Sequence, residues 1–310
     1  MRGKLQTTIN STIRFAGIGL HSGVTTKVAI RPAAADFGIR FRRVDASAQG
    51  VEIAAHWSRL EPAPLCTRIG DGNGESIDTI EHLMAALAGC GIHNALVEVG
   101  GPEIPILDGS AKPFVAGILA CGVRHLDVQV RALRIRERVE VRNGDAIARL
   151  EPSDRLEIAF DIDFADSAIG HQELTLDMAN GTFVRELSDS RTFCSRSDVQ
   201  TLRANGLARG GSLENALVFD GAEVLSPGGL RHADEPVRHK MLDAMGDLAL
   251  AGAPLIGRYT GVRAGHALTG WLLRTVFERE SAWEEVTLAP SEAAHLPGFG
   301  ISAGELRTPA

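Results

Sequence analysis

Two stretches of this chain end alike. Ala85-Ala86-Leu87-Ala88-Gly89 leads into the apolar segment Leu96 to Val99, and Leu248-Ala249-Leu250-Ala251-Gly252 leads into Leu255 to Val262. A helix that stops on Ala-Gly and feeds a buried strand, met once in each half, is the mark of an internal duplication. The chain of 310 residues has room for two ordinary domains. The expected fold class is therefore α+β: two similar α+β sandwich domains, each with its sheet on one side and its helices on the other, packed helix face to helix face. Residues 1–126 form the first domain and 127–288 the second, with the junction in Gly122 to Val130; residues 289–310 lose periodicity and read as a loosely ordered tail.

Local patterns fill in this frame. Leu5 to Ile9, Thr25 to Ile30, Gly38 to Phe41 and Val51 to Ala54 read as strands, and Gly70-Asp71-Gly72-Asn73-Gly74 as a hairpin turn. Lys112 to Cys121 reads as a short helix capped by Ser110. Leu133 to Val141 and Ala146 to Leu150 form a hairpin closed at Arg142-Asn143-Gly144-Asp145, and Leu156 to Phe164 with Glu173 to Leu176 continue that sheet. The glycine-rich Gly17 to Gly23 lacks the Lys-Ser/Thr ending of a phosphate loop and has no helix pattern after it, so a tight turn is predicted, with His21 structural.

The polar faces of the two helices carry the chemistry. Asp234 to Asp247 reads as a helix with Asp234 as N-cap and Pro236 in the first turn; Val237, Met241, Ala244, Met245 and Leu248 form its apolar stripe. His239, Asp243 and Asp247 lie on the opposite face. An imidazole and a carboxylate four apart sit one turn above each other and can reach one cation, although a solvated surface pair has the same spacing. In the other helix Glu81 and His82 stand beside an Ile, Leu, Met and Leu stripe. His82, His239 and Asp243 make two imidazoles and a carboxylate, which leave the fourth position of a tetrahedral Zn²⁺ open for water, and Glu81 is placed to take a proton from that water. Glu81 is equally a first-turn residue favoured by the helix dipole, in a capping box with Asp78.

These residues carry a resemblance. Glu81-His82 within Asp-Thr-Ile-Glu-His-Leu, the run from Asp234 to Asp247, Arg191-Thr192-Phe193 and Gly265-His266-Ala267-Leu268 resemble the zinc-dependent UDP-3-O-acyl-N-acetylglucosamine deacetylases of bacterial lipid A synthesis, from the first strand to about Leu288. The resemblance implies hydrolysis of the substrate's N-acetyl group, the committed step of that pathway, with one Zn²⁺ per chain. It implies a small insert in each sandwich, His266 as the acid for the leaving amine with Asp247 as its partner, Thr192 as a hydroxyl donor to the tetrahedral oxyanion and Lys240 as a phosphate-binding lysine. Phe164 and Phe193 become contacts to sugar or uracil, with core packing as the alternative, and Leu202 and Leu213 become lining of an apolar passage for the acyl chain. Where the family pattern calls for an aromatic and a methionine-like residue at that passage, this chain has Cys194-Ser195-Arg196. The alternatives are another zinc amidohydrolase of acylated sugars, or a protein that binds zinc or a nucleotide sugar without turnover.

Composition narrows the setting. A net charge of −7 argues against a general nucleic-acid binder while leaving room for a local basic pocket. The four cysteines, Cys66, Cys90, Cys121 and Cys194, form no C-x-x-C pair, so neither a thiolate metal site nor a disulfide framework is expected. Met1 to Thr8 shows no apolar signal region and no apolar run long enough to cross a membrane appears. The expectation is a cytoplasmic monomer acting on a small molecule, drawn near the inner membrane surface by its substrate's acyl chain.

Overall fold

The computed structural model of the chain describes residues 5–45, 50–301 and 304. The reading of the first four residues, and of most of the tail beyond Ile301, lies outside the described residues. The first half runs β1 (Leu5–Ile9), β2 (Ile13–Ile18), β3 (Thr25–Pro32), β4 (Ile39–Arg43), β5 (Glu52–Ala54), then the short β6 (Leu60–Glu61), β7 (Arg68–Gly70) and β8 (Ser76–Ile77), then α1 (Glu81–Gly89), β9 (Ala95–Val99), α2 (Lys112–Cys121) and β10 (Val123–Gln129). The second half runs β11 (Arg131–Ile135), β12 (Val139–Asn143), β13 (Ala146–Glu151), β14 (Leu156–Asp163), β15 (His171–Asp177), then β16 (Phe193–Ser195), α3 (Arg196–Ala204), β17 (Leu217–Asp220) and β18 (Glu223–Val224), then α4 (Glu235–Leu248), β19 (Leu255–Val262), α5 (His266–Phe277), β20 (Trp283–Thr287) and α6 (Pro290–Ala293).

The fold is α+β and duplicated. The order β2-β3-β9-β4-β5 in one half is matched by β12-β13-β19-β14-β15 in the other. In each, the central strand is antiparallel to one neighbour and parallel to the other: β9 to β3 and β4, β19 to β13 and β14. The antiparallel pair β1 and β10 corresponds to β11 and β20. The three short strands β6-β7-β8 stand in the first half where β16-β17-β18 stand in the second, so each half carries its insert just before the helix, α1 or α4, that faces the other half. Among the described residues no strand pairing joins the two halves.

Alternation explains the strands. In β14, Leu156, Ile158, Phe160 and Ile162 are buried, and in β3 Val28 and Ile30 point inward while Lys27 is exposed. The helices bury more than a stripe. In α1 every residue except Ala88 is buried, Glu81 and His82 included, and α4 buries His239, Asp243 and Asp247 along with its apolar side. The polar faces meet each other rather than water. Contact is closest at Gly246, where a Cβ would lie 2.0 Å from the Glu81 carbonyl oxygen.

Several local expectations are corrected. The run Leu133 to Val141 is two strands: β11 pairs with β19 and β20, and only β12 closes a hairpin with β13, through Gly144 at φ +57°. Residues 123–129, read as a junction, form β10 against β1. Asp234 is the N-cap of α4, its carbonyl accepting from the Arg238 N–H, but its carboxylate makes no capping bond and accepts from Arg238 Nε at 2.6 Å instead. Asp78 makes no capping box with Glu81, because Arg68 holds both of its oxygens. The Ser110 hydroxyl does accept from the Lys112 N–H at the start of α2. Beyond Leu288, Ala293 and Leu296 pack with Val130, Ala132 and Ile256, and Gly298 lies against Gly91.

Candidate active site

Helix α1 supplies Glu81 and His82 from its first turn, and α4 supplies His239, Asp243 and Asp247 from successive turns of one face. Their crossing brings the groups together: ligand atoms of His82, His239 and Asp243 all lie within 4.8 Å of one another. The two imidazoles stand edge to face, with ring centroids 5.0 Å apart. His239 Nδ1 faces the Ser190 carbonyl at 3.0 Å. A carbonyl can only accept, so Nδ1 carries the hydrogen and Nε2 keeps its lone pair. That Nε2 lies 3.3 Å, and His82 Nε2 3.5 Å, from the same oxygen, Asp243 Oδ1.

Asp243 decides what this arrangement suits. Its Oδ2 accepts from Lys240 Nζ at 3.0 Å, while Oδ1 is buried with no hydrogen-bond partner among the described residues. An unpaired carboxylate oxygen away from water is costly unless a cation meets it. Burial lowers the His239 pKa to about 4, so this ring is neutral at pH 7, as a metal ligand must be. For Asp243, burial works against the charge, but His239 and Lys240 outweigh it and hold the carboxyl well below its usual range. Two imidazole nitrogens and one carboxylate oxygen fit Zn²⁺ chemistry.

Around this trio stand the acid–base groups. Burial pushes Glu81 up to about 7; its Oε2 accepts from the Thr67 main-chain N–H at 3.0 Å and its Oε1 lies 3.9 Å from His266 Nε2. His266 opens α5, and its Nδ1 sits 2.9 Å from Asp247 Oδ2. Burial disfavours the charged ring, but Asp247 and then Glu81 raise its pKa to about 9. Asp247 Oδ1 accepts from the Thr67 hydroxyl.

Of the other predicted residues, Lys240 and Phe193 stand directly against the trio. Thr192 is fixed by its backbone, its N–H on the Gly109 carbonyl and its carbonyl receiving the Leu217 N–H, both at 2.8 Å; its hydroxyl bonds no other group among the described residues. Its neighbour Arg191 is locked on the fully buried Glu235, with Nε to Oε1 at 2.9 Å and Nη2 to Oε2 at 3.1 Å. The Phe193 ring is 6.1 Å from His239 and 5.3 Å from Phe164, which is 41% exposed. In the second insert, Leu202 is half-buried on α3 and Leu213 is exposed. Lys240, expected to bind phosphate, donates to Asp243 instead of pointing free. Arg196 pairs with Asp220 at 2.7 Å. The glycine-rich turn receives that insert: the Gly210 N–H donates to the Leu20 carbonyl and the Arg209 N–H to the His21 carbonyl, while Glu103 accepts from the N–H groups of His21 and Ser22. Ser190 and Thr67 were not legible in the sequence. Ser190 acts through its carbonyl, which any residue could offer, and Thr67 lies in a stretch without periodicity.

A model of the family described as UDP-3-O-acyl N-acetylglycosamine deacetylase matches residues 6–278. Among curated proteins, the UDP-3-O-acyl-N-acetylglucosamine deacetylase of Phenylobacterium zucineum is 49% identical over 92% of this chain and 97% of its own length. Those of Anaeromyxobacter dehalogenans and Shewanella woodyi are 43% and 41% identical, each over 96% of this chain and 97% and 98% of theirs.

Proposed function

Because the chain belongs to the UDP-3-O-acyl N-acetylglycosamine deacetylase family, we propose that it hydrolyses the N-acetyl group of UDP-3-O-acyl-N-acetylglucosamine in lipid A biosynthesis, and that His82, His239 and Asp243 hold one catalytic Zn²⁺. The observation that carries the metal reading is the bare, buried Asp243 Oδ1 between two imidazole nitrogens. Held there by His82, His239 and Asp243, a divalent cation would polarise the amide carbonyl and lower the pKa of bound water toward neutral.

The chain's own groups do the rest. Glu81 takes a proton from water as the water's oxygen bonds to the acetyl carbon, and the Thr192 hydroxyl donates to the carbonyl oxygen as it gains charge. His266, charged through Asp247, then gives a proton to the glucosamine nitrogen while the C–N bond breaks. The products are acetate and the free amine. Lys240, Phe193 and Phe164 are assigned to the nucleotide-sugar side, and Leu202 and Leu213 to the acyl chain. Residues 1–126 and 127–288 are taken as the two domains. No helix among the described residues is long and apolar enough to cross a membrane; a cytoplasmic monomer, meeting its acyl substrate near the inner membrane surface, completes the proposal.

The test is metal analysis of the purified protein coupled to a free-amine assay on the acylated UDP-sugar. One Zn²⁺ per chain, with turnover lost on chelation and restored by Zn²⁺, is the expected result. Metal-free protein with full turnover refutes the reading.

A further inference from the structure

Thr67 has two of its three polar groups on carboxylates of the site and the third at the head of the helix that carries one of them. It is 3% exposed and lies between Leu65, held at φ +62°, and Arg68, whose Nη2 donates to Asp78 at 2.7 Å. Its main-chain N–H donates to Glu81 Oε2 at 3.0 Å, and its carbonyl accepts from the Ile80 N–H at the head of α1 at 3.3 Å. Its hydroxyl reaches across to the other half and donates to Asp247 Oδ1, 180 residues away. One residue thus touches the carboxylate that takes a proton and the carboxylate that seats the imidazole that gives one.

A carboxylate turns easily about its last bond, because that torsion has broad, shallow wells. One donor fixes one oxygen and leaves the plane free to swing. Asp247 has two donors: His266 Nδ1, 2.9 Å from Oδ2 and 3.2 Å from Oδ1, and the Thr67 hydroxyl, which meets Oδ1 from a second direction and so opposes rotation about the His266 contact. Resting on the assignment of Glu81 and His266 above, we propose that Thr67 is a positioning residue for the deacetylation. Its hydroxyl fixes the plane of Asp247 and so aims His266 Nε2, while its N–H holds Glu81 Oε2 and leaves Oε1 turned toward the same space. The relative placement of base and acid is then set by one residue, through its main chain on one side and its hydroxyl on the other.

The test compares Thr67→Val with Thr67→Ser in the zinc-loaded enzyme. Valine keeps the shape and the main-chain N–H and removes only the hydroxyl. kcat should fall about ten- to hundredfold, the worth of one hydrogen bond to a charged group, with KM and zinc content unchanged. Thr67→Ser should restore most of the rate. In an Asp247→Ala background Thr67→Val should cost nothing further, since the hydroxyl acts only through that carboxylate. A readout independent of turnover is the proton resonance of His266 Nδ1–H, identified by its absence from His266→Gln; it should shift or broaden in Thr67→Val and return in Thr67→Ser. Wild-type kcat in Thr67→Val, or a full additive loss on top of Asp247→Ala, overturns the proposal. If Glu81→Ala and Asp247→Ala themselves turn over at the wild-type rate, the site assignment falls and this proposal with it. The additive loss is distinguishable, because both carboxylate variants are then still impaired.

Discussion

Replacing Gly246 by alanine adds one methyl group at the point where α4 crosses α1. The new Cβ would stand 2.0 Å from the Glu81 carbonyl oxygen, 2.7 Å from its carbon and 3.0 Å from its Cα, all backbone atoms that no side-chain rotation can move away. Ordinary contact begins at 3.4 Å, so the helices must part by about 1.4 Å at this point. That shift acts directly on the site, because Glu81 and His82 ride on α1 while His239 and Asp243 ride on α4. The separations of 3.5 Å between His82 and Asp243 and 3.9 Å between Glu81 and His266 would both open. A displacement near 1 Å can cost on the order of a hundredfold in rate. Overpacking costs about 1–3 kcal/mol, against which the better helix propensity of alanine returns about 1 kcal/mol. The expected result is zinc affinity down at least tenfold, kcat/KM down about a hundredfold and a protein that still folds, read by zinc titration with a chromophoric chelator, the free-amine assay and thermal unfolding. Full zinc affinity together with wild-type kcat/KM would show that the helix crossing does not set the geometry of the trio.

Alanine at His82, His239 or Asp243 should remove bound zinc and activity together; a variant that keeps full occupancy takes its residue out of the ligand set. Glu81→Ala should retain zinc and lose about a hundred- to ten-thousandfold in kcat, as expected for a general base, and near wild-type turnover would refute the role. The pH profile should be bell-shaped: Glu81 must be ionised, so turnover rises through about pH 7, and His266 must be protonated, so turnover falls above about pH 9. A high-pH limb unchanged in His266→Gln would assign that limb to another group. Glu235→Gln leaves the buried Arg191 guanidinium without its counter-charge and should destabilise the fold by about 3–5 kcal/mol in urea unfolding; a loss below about 1 kcal/mol would mean that water reaches the pair.

What could be read from the sequence was what repeats at short range. The four-residue spacing of His239 and Asp243 and the paired Ala-Gly helix ends are local, and both lead to the right helices. Strands β2 and β10 are less legible because no residue of either is fully buried: β2 alternates between exposed and half-buried positions, and β10 is Val-Arg-His-Leu-Asp-Val-Gln with no buried residue. Ile13, Phe15 and Val123 pack against the core from its rim, and pairing with a neighbouring strand fixes the rest. The same limit hid Thr67, whose side-chain and main-chain partners lie 180 and 14 residues away.

The duplication explains the scaffold but not the chemistry placed on it. If the two Ala-Gly ends are superposed, Gly89 on Gly252, then His82 falls on Met245, Glu81 on Ala244 and Asp243 on Ile80. No residue of the candidate site has a like residue at its equivalent position. The symmetric part of the structure supplies two helices that can meet face to face, each followed by a strand in the middle of a sheet. The asymmetric part sets one proposed ligand and the proposed base on α1 against two proposed ligands and a carboxylate on α4, and α5 adds His266 where α2 begins with Lys112. A symmetric set would have placed two identical carboxylates or two identical imidazoles across the crossing, which could hold a cation but could not divide proton uptake and proton delivery between Glu81 and His266. The helix pairing of the repeat gives the site its position, and in the proposed reaction the divergence of the two halves, Glu81 on α1 in one and His266 on α5 in the other, would give it a direction of proton flow.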